Sequence, residues 1–139
     1  MRKQFFSVAA AALLLSASVP AFAHHSFAAE FDANKPVTLD GTVLKMEWVN
    51  PHSWIHVEVK NAQTGAVEHW AVEGGAPSAL LRRGLTKNSL PAGIKIKVEG
   101  FQAKDGSLRA NARDITFPDG KKLFAGSTGT GAPGEEKQQ

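Results

Sequence analysis

The sequence contains no cysteine. That absence excludes a disulfide framework, a thiol nucleophile and a thiolate metal centre, so the fold has to be stabilised by packing. A membrane-spanning run is missing as well. The longest apolar stretch, Phe5 to Val19, is interrupted by Ser7, Ser16 and Ser18 and falls short of the roughly 20 residues that a spanning helix needs. Methionine is scarce, with Met46 the only one beyond the first residue, which disfavours a soft Cu(I) site. No zinc-protease helix, phosphate loop or nucleophile elbow occurs, and Glu47 and Glu58 have no spacing that defines a hydrolytic carboxylate pair. There is no internal repeat. The residues therefore carry no catalytic signature, and the reading is of a non-enzymatic chain.

What is present begins with an export signal. Arg2 and Lys3 form a positive n-region, the apolar stretch follows, and Ala21-Phe22-Ala23 supplies a small-x-small cleavage site. Residues 1–23 are thus expected to be a signal peptide cut after Ala23, with Ala21 as the alternative. The mature protein would then be periplasmic or secreted, with no membrane anchor. Removing 23 of the 139 residues leaves 116, enough for one domain with a core. The cut also takes two of the 16 basic residues and none of the 13 acidic ones, lowering the formal charge from +3 to +1. The basicity of the precursor is therefore no sign of a nucleic-acid partner, and none is expected.

Residues 24–35 read as a polar lead-in, with Phe27 and Phe31 as anchors on the body. A β-domain is expected over residues 36–124. Val37, Leu39, Gly41 and Val43 alternate with polar residues, then the parity shifts to Leu44, Met46 and Trp48, which suggests a bend or bulge near Gly41. Asn50-Pro51 ends this strand. A second strand puts Ile55, Val57 and Val59 inward and Trp54, His56 and Glu58 outward. A third puts Trp70 and Val72 inward and His69, Ala71 and Glu73 outward. Pro77 opens a short helix, with Leu80 and Leu81 as its apolar side, closed by Gly84. Ile94, Ile96 and Val98 mark a fourth strand, and Asp105-Gly106 turns the chain into a fifth that ends near Phe117. Lys122 to Phe124 form a brief edge. This β-β-β-α-β-β order points to an all-β fold, a five-stranded OB-like barrel or curled sheet. Residues 125–139 lack large apolar side chains and read as a disordered tail.

The segments HHSFAAEFD, EWVNPHSWIHVEV, LLRRGLT and GFQAKDGSLRANARDITFPDGK occur in this order along the chain. In them the sequence resembles a family of small exported bacterial proteins catalogued as domain of unknown function 6152. The resemblance implies an exported β-barrel-like domain and supplies no activity, cofactor or site residue.

The chemistry has to be sought in five histidines. Cleavage after Ala23 would make His24 the N-terminus, where its amine and imidazole can chelate Cu(II), with His25 adjacent. A third nitrogen from another histidine would give a T-shaped brace, as in several exported copper proteins. The alternative is a pair of solvated histidines that happen to follow a cleavage site. Four residues of extended chain separate His52 from His56 by ~13 Å, so the two cannot share an ion unless the chain bends at Pro51. A register with Ile55 beside Val72 and Val57 beside Trp70 sets Glu58 opposite His69 and His56 diagonal to it at ~7 Å. His56, His69 and Glu58 are then either an ion site, with Glu58 as ligand or orienter, or a solvated face of cross-strand pairs. Any ion would be one that prefers nitrogen and oxygen donors, Cu(II) or Zn(II). The competing reading is a metal-free interaction domain. There Trp54, with His52, Arg82 and Arg83 nearby, and Phe101, Arg109 and Arg113 as further outward groups, would face an envelope protein, a glycan or a small anionic ligand.

Overall fold

The computed structural model describes residues 26–135. One helical turn, α1 (Phe27–Glu30), leads into a strand of 17 residues, β1 (Phe31–Glu47). Then come β2 (Trp54–Lys60), β3 (Val67–Glu73), α2 (Pro77–Arg82), β4 (Lys95–Ala103), β5 (Arg109–Thr116) and β6 (Lys122–Phe124). Antiparallel ladders run in the order β3-β2-β1-β4-β5-β6, and a parallel pairing of β3 with β5 closes the first five strands into a ring. The short helix between the third and fourth ring strands completes the all-β, OB-like arrangement expected from the strand order.

β1 is long enough to serve two neighbours. It pairs with β4 up to Thr42 and with β2 from Gly41 onward. Gly41 stands where the strand has partners on both sides, and a Cβ there would lie 2.4 Å from the Glu58 carbonyl oxygen and 2.5 Å from Val57 Cγ1. Only glycine allows the ladders to approach so closely. The shift of parity comes three residues later, at an irregularity between Val43 and Lys45 that turns Leu44 out to solvent. Asn50-Pro51, a cis peptide, lies in the β1–β2 connection.

Alternation decides the core. Ile55, Val57, Val72 and Val98 are fully buried, and Trp70 and Ile96 nearly so. Trp48, expected inside, packs half-buried at the core margin. In α2, Pro77 occupies the first turn, Leu80 enters the core, and Gly84 reverses the chain at φ +89°. Leu81, expected to share the apolar side, is exposed, and Leu85 and Leu90 from the following loop are buried instead.

Two boundaries differ from the sequence reading. The lead-in belongs to the barrel from Phe31, which pairs with Ala103, and its aromatics form a second apolar cluster outside the ring. There Phe27 stacks on Phe31 at 5.9 Å and meets Phe101 edge-on at 5.4 Å. Phe101, expected as an outward aromatic, does leave the barrel interior but is buried under α1. The segment after Phe124, expected to be disordered, lies against the barrel through residue 135. Its backbone holds it where large side chains are lacking: Ala125 N donates to Arg113 O and Gly75 N to Ala125 O, while Phe27 N donates to Thr130 O. Its small residues are what allow the approach, since a Cβ on Gly126 would sit 2.7 Å from the Ala112 carbonyl oxygen.

Two stability measurements follow from this packing. Trp70→Ala should cost about 3–5 kcal/mol by denaturant unfolding and Trp54→Ala, from the half-buried outer face, less than half as much. Ending the chain at Phe124 should lower the melting temperature of an otherwise intact barrel, because Ala125, Ser127 and Thr130 are buried. A melting curve unchanged by that truncation would contradict the packing of this segment.

Candidate functional site

Strand parity and register bring the expected histidines into separate surroundings. His69 stands opposite Glu58 in the anticipated register, with Nε2 3.5 Å from Glu58 Oε2, but the side chains are 68% and 46% exposed. His56 Nε2 lies 3.2 Å from Glu47 Oε1, without the alignment of a hydrogen bond. Lys45 Nζ reaches the same oxygen at 2.6 Å, and that bond, aided by His56, holds the Glu47 carboxyl below its usual range. The expected His56, His69 and Glu58 cluster is thus divided into two carboxylate pairs. Among the described residues no group of three or more His, Cys, Asp or Glu is arranged to hold an ion. His24 and His25 lie outside the described residues.

The basic residues are divided as well. Arg82 is exposed at the end of α2. Arg83 Nη1 donates to the Gly126 carbonyl at 2.8 Å, with its guanidinium 4.7 Å from the Phe124 ring centroid, so it fastens the C-terminal segment. Arg109 pairs with Glu30 at 3.5 Å, and Arg113 with Asp114 at 2.9 Å and Glu99 at 3.5 Å. Trp54 is half-buried opposite Glu73.

A juxtaposition of buried polar groups lies elsewhere, at the β3–β5 seam. Glu73 points to the outer face, as its parity requires, and there meets Asn111 of β5 in the parallel pairing. Both are buried because α1 and the segment after Phe124 cover that face. His52 is brought to the same place by its neighbour. Ser53 N and Oγ both donate to the Gly75 carbonyl, at 3.1 and 2.7 Å, and Gly74 N donates back to Ser53 O at 2.8 Å. His52 Nδ1 consequently lies 3.7 Å from Glu73 Oε1 and 3.1 Å from Ser127 Oγ, with the His52 and Glu73 side chains only 13% and 12% exposed. Beside Glu73 is a cavity of about 10 Å³, the space of one water-sized sphere, walled by Ser26, Glu30, Glu73, Asn111 and Thr130 with Phe27 and Phe31.

Burial pushes the Glu73 carboxyl up to about 7, and the nearby charge of Glu30 adds to the rise. Arg109 and a hydrogen bond from Asn111 oppose it. A carboxyl that ionises near neutrality, next to an imidazole, can exchange a proton or accept a cation at little cost. Sequence reasoning missed both Glu73 and Asn111, because outward parity was equated with solvent. The legible signal was three phenylalanines outside the ring: Phe27 and Phe31, four residues apart, and outward Phe101 can bury one another only if the chain folds over this face.

A second concavity, a groove of about 580 Å³, lies among β1, β2 and β4, with Gly41, Ile96, Val67 and Phe117 against Lys60, Lys95 and Lys97. Asp40 stands 4.0 Å from Lys97.

Fold and site together define a small all-β module, an OB-like barrel with a covered histidine–carboxylate pair on its outer wall. The chain belongs to the family of unknown function DUF6152, which matches residues 10–112. No curated protein and no solved structure matches it.

Glu73 gives the metal-free protein a testable pH dependence. Its folded value of about 7 exceeds the ordinary 4.5, so the folded state holds the proton more tightly than the unfolded chain. The associated stability is complete below pH 4.5 and is lost as the pH rises through 7, by up to about 3 kcal/mol. Urea unfolding should therefore give equal stabilities for the native protein and Glu73→Gln near pH 4 and a more stable variant at pH 8. Parallel curves for the two across that range would show that Glu73 does not titrate in this way.

Proposed function

We propose that the protein is an exported, OB-like binding module that holds a divalent ion preferring nitrogen and oxygen donors, Cu(II) or Zn(II), through the amine and imidazole of His24 after cleavage at Ala23. One observation carries this reading. Ser26 walls the same small polar cavity as Glu73, so two residues of chain, at most ~7 Å, join His24 to a covered, acidic position on the barrel. The Glu73 carboxyl offers an oxygen donor there, and the amine and imidazole of one terminal residue form a chelate suited to Cu(II).

The second reading, a metal-free domain for a small anionic ligand, is favoured by the groove. Its apolar floor and three lysines, which outnumber the two acids Asp40 and Glu58 in the lining, suit an amphipathic carboxylate or sulfonate.

Calorimetry with Cu(II) separates the two. Protein beginning at His24 should bind one equivalent, and acetylating the α-amine of His24 should weaken binding at least tenfold while leaving the melting curve unchanged, because it removes the amine from the chelate ring. Equal affinities for the two proteins would refute the terminal chelate.

A further inference from the structure

The groove of about 580 Å³ lies where β1 passes from the β4 ladder to the β2 ladder, and the three lysines along it are not equivalent. Register sorts them. Asp40 faces Lys97 across the β1–β4 ladder at 4.0 Å, and the pairing of Gly41 with Val59 sets Lys60 on the other side of Asp40, so one acid serves two lysines. Glu58, the second acid, is paired with His69 at 3.5 Å. Lys95 has different neighbours. It stands opposite the half-buried Thr42 on β1, and the pairing of Lys97 with Thr116 continues to Pro118 beside Lys95 on the β5 side. No acid lies directly across either ladder from Lys95, so among the lysines of the groove it is the one placed to meet an anion, with a hydroxyl beside it. At the far side of the groove, on β3, Val67 is 61% exposed.

We infer that the groove binds a medium-chain monocarboxylate, with its head group held by the Lys95 ammonium and the Thr42 hydroxyl and its apolar body laid across Gly41 toward Val67. The inference rests on the second reading above, names the head-group site and the charge of the ligand, and is independent of any ion at His24. The shape follows from the sheet. Three strand spacings of about 4.8 Å separate β4 from β3, so a ligand that reaches from Lys95 to Val67 is elongated, on the order of 14 Å. Gly41 presents bare backbone at the centre of that path, and Ile96 and Phe117 wall the head end, where they exclude water from one side of the ion pair and strengthen it. The charge follows from the acids. Asp40 and Glu58 flank the path beyond Thr42, so a second carboxylate further along the ligand would meet like charge. An uncharged head would forgo the one ammonium that no cross-strand acid neutralises. One negative charge at one end of an apolar chain satisfies both conditions.

The test is an NMR titration with octanoate, following the backbone amides of Thr42, Val67, Lys95 and Lys97, on protein beginning at His24 and in excess chelator so that no bound ion contributes. Octanamide, of the same length without the charge, and octanedioate, with a second carboxylate at the far end, are the comparison ligands. Octanoate should give saturable shifts at these amides, and each comparison ligand should bind about fivefold more weakly or worse. Lys95→Gln should weaken octanoate binding about fivefold or more, while Lys60→Gln and Lys97→Gln should each change it by less than about twofold. Lys95 is exposed, so its replacement should leave the melting curve unchanged and the loss cannot come from unfolding. If Lys60→Gln or Lys97→Gln weakens binding as much as Lys95→Gln does, the head-group site is overturned and the reading of the groove as an anion site stands. Octanedioate binding as tightly as octanoate would overturn the requirement for a single charge and leave that reading standing in the same way. Equal binding of octanamide, or no saturable shift with octanoate, would overturn the inference together with the reading it rests on.

Discussion

Closure of the ring by three parallel pairs, Ala71 with Arg109, Val72 with Ala110 and Glu73 with Asn111, is the constraint on which the rest of the structure depends. Without it β3 would be an open edge presenting unpaired backbone groups to solvent or to another chain. With it, β5 divides its length, pairing with β3 at its start and with β6 at its end. The same three pairs set the register that places an acid and an amide side by side on the outer wall.

That wall would be ordinary solvated surface but for the two segments that cross it. They are held by different physics. The N-terminal turn is fixed by aromatic burial, Phe27 and Phe31 on Phe101, whereas the C-terminal segment is fixed by backbone hydrogen bonds and by residues small enough to lie flat on the barrel. Between them they remove water from Glu73 and so raise its affinity for a proton. The histidine–carboxylate pair thus exists because of a cover that is itself not part of the OB-like ring.

Strand order, the helix bounded by Pro77 and Gly84, and the β2–β3 register were legible because period-two alternation and turn residues act locally. The burial of Ile55, Val57, Trp70 and Val98 followed from the same pattern. Leu85 and Leu90 were not legible: a loop leucine carries no periodicity, and its burial depends on where α2 docks. The segment after Phe124 was misread because composition reports which side chains can pack and says nothing of backbone that pairs. For the site, parity correctly turned Glu73, Trp54 and His56 outward, but it could not say that one stretch of the outer face is roofed. His52 was singled out for its neighbours in sequence, whereas its partners in the structure, Glu73 and Ser127, are 21 and 75 residues away.

The bond from Phe27 N to Thr130 O joins segments more than a hundred residues apart in the chain. Few contacts hold this union compared with the ladders of the ring, so it is expected to open more readily than the ring does. Amide hydrogens under the cover will exchange through a local opening of lower free energy than global unfolding. Such an opening would expose Glu73 to water while the core around Val57 and Val98 stays shut.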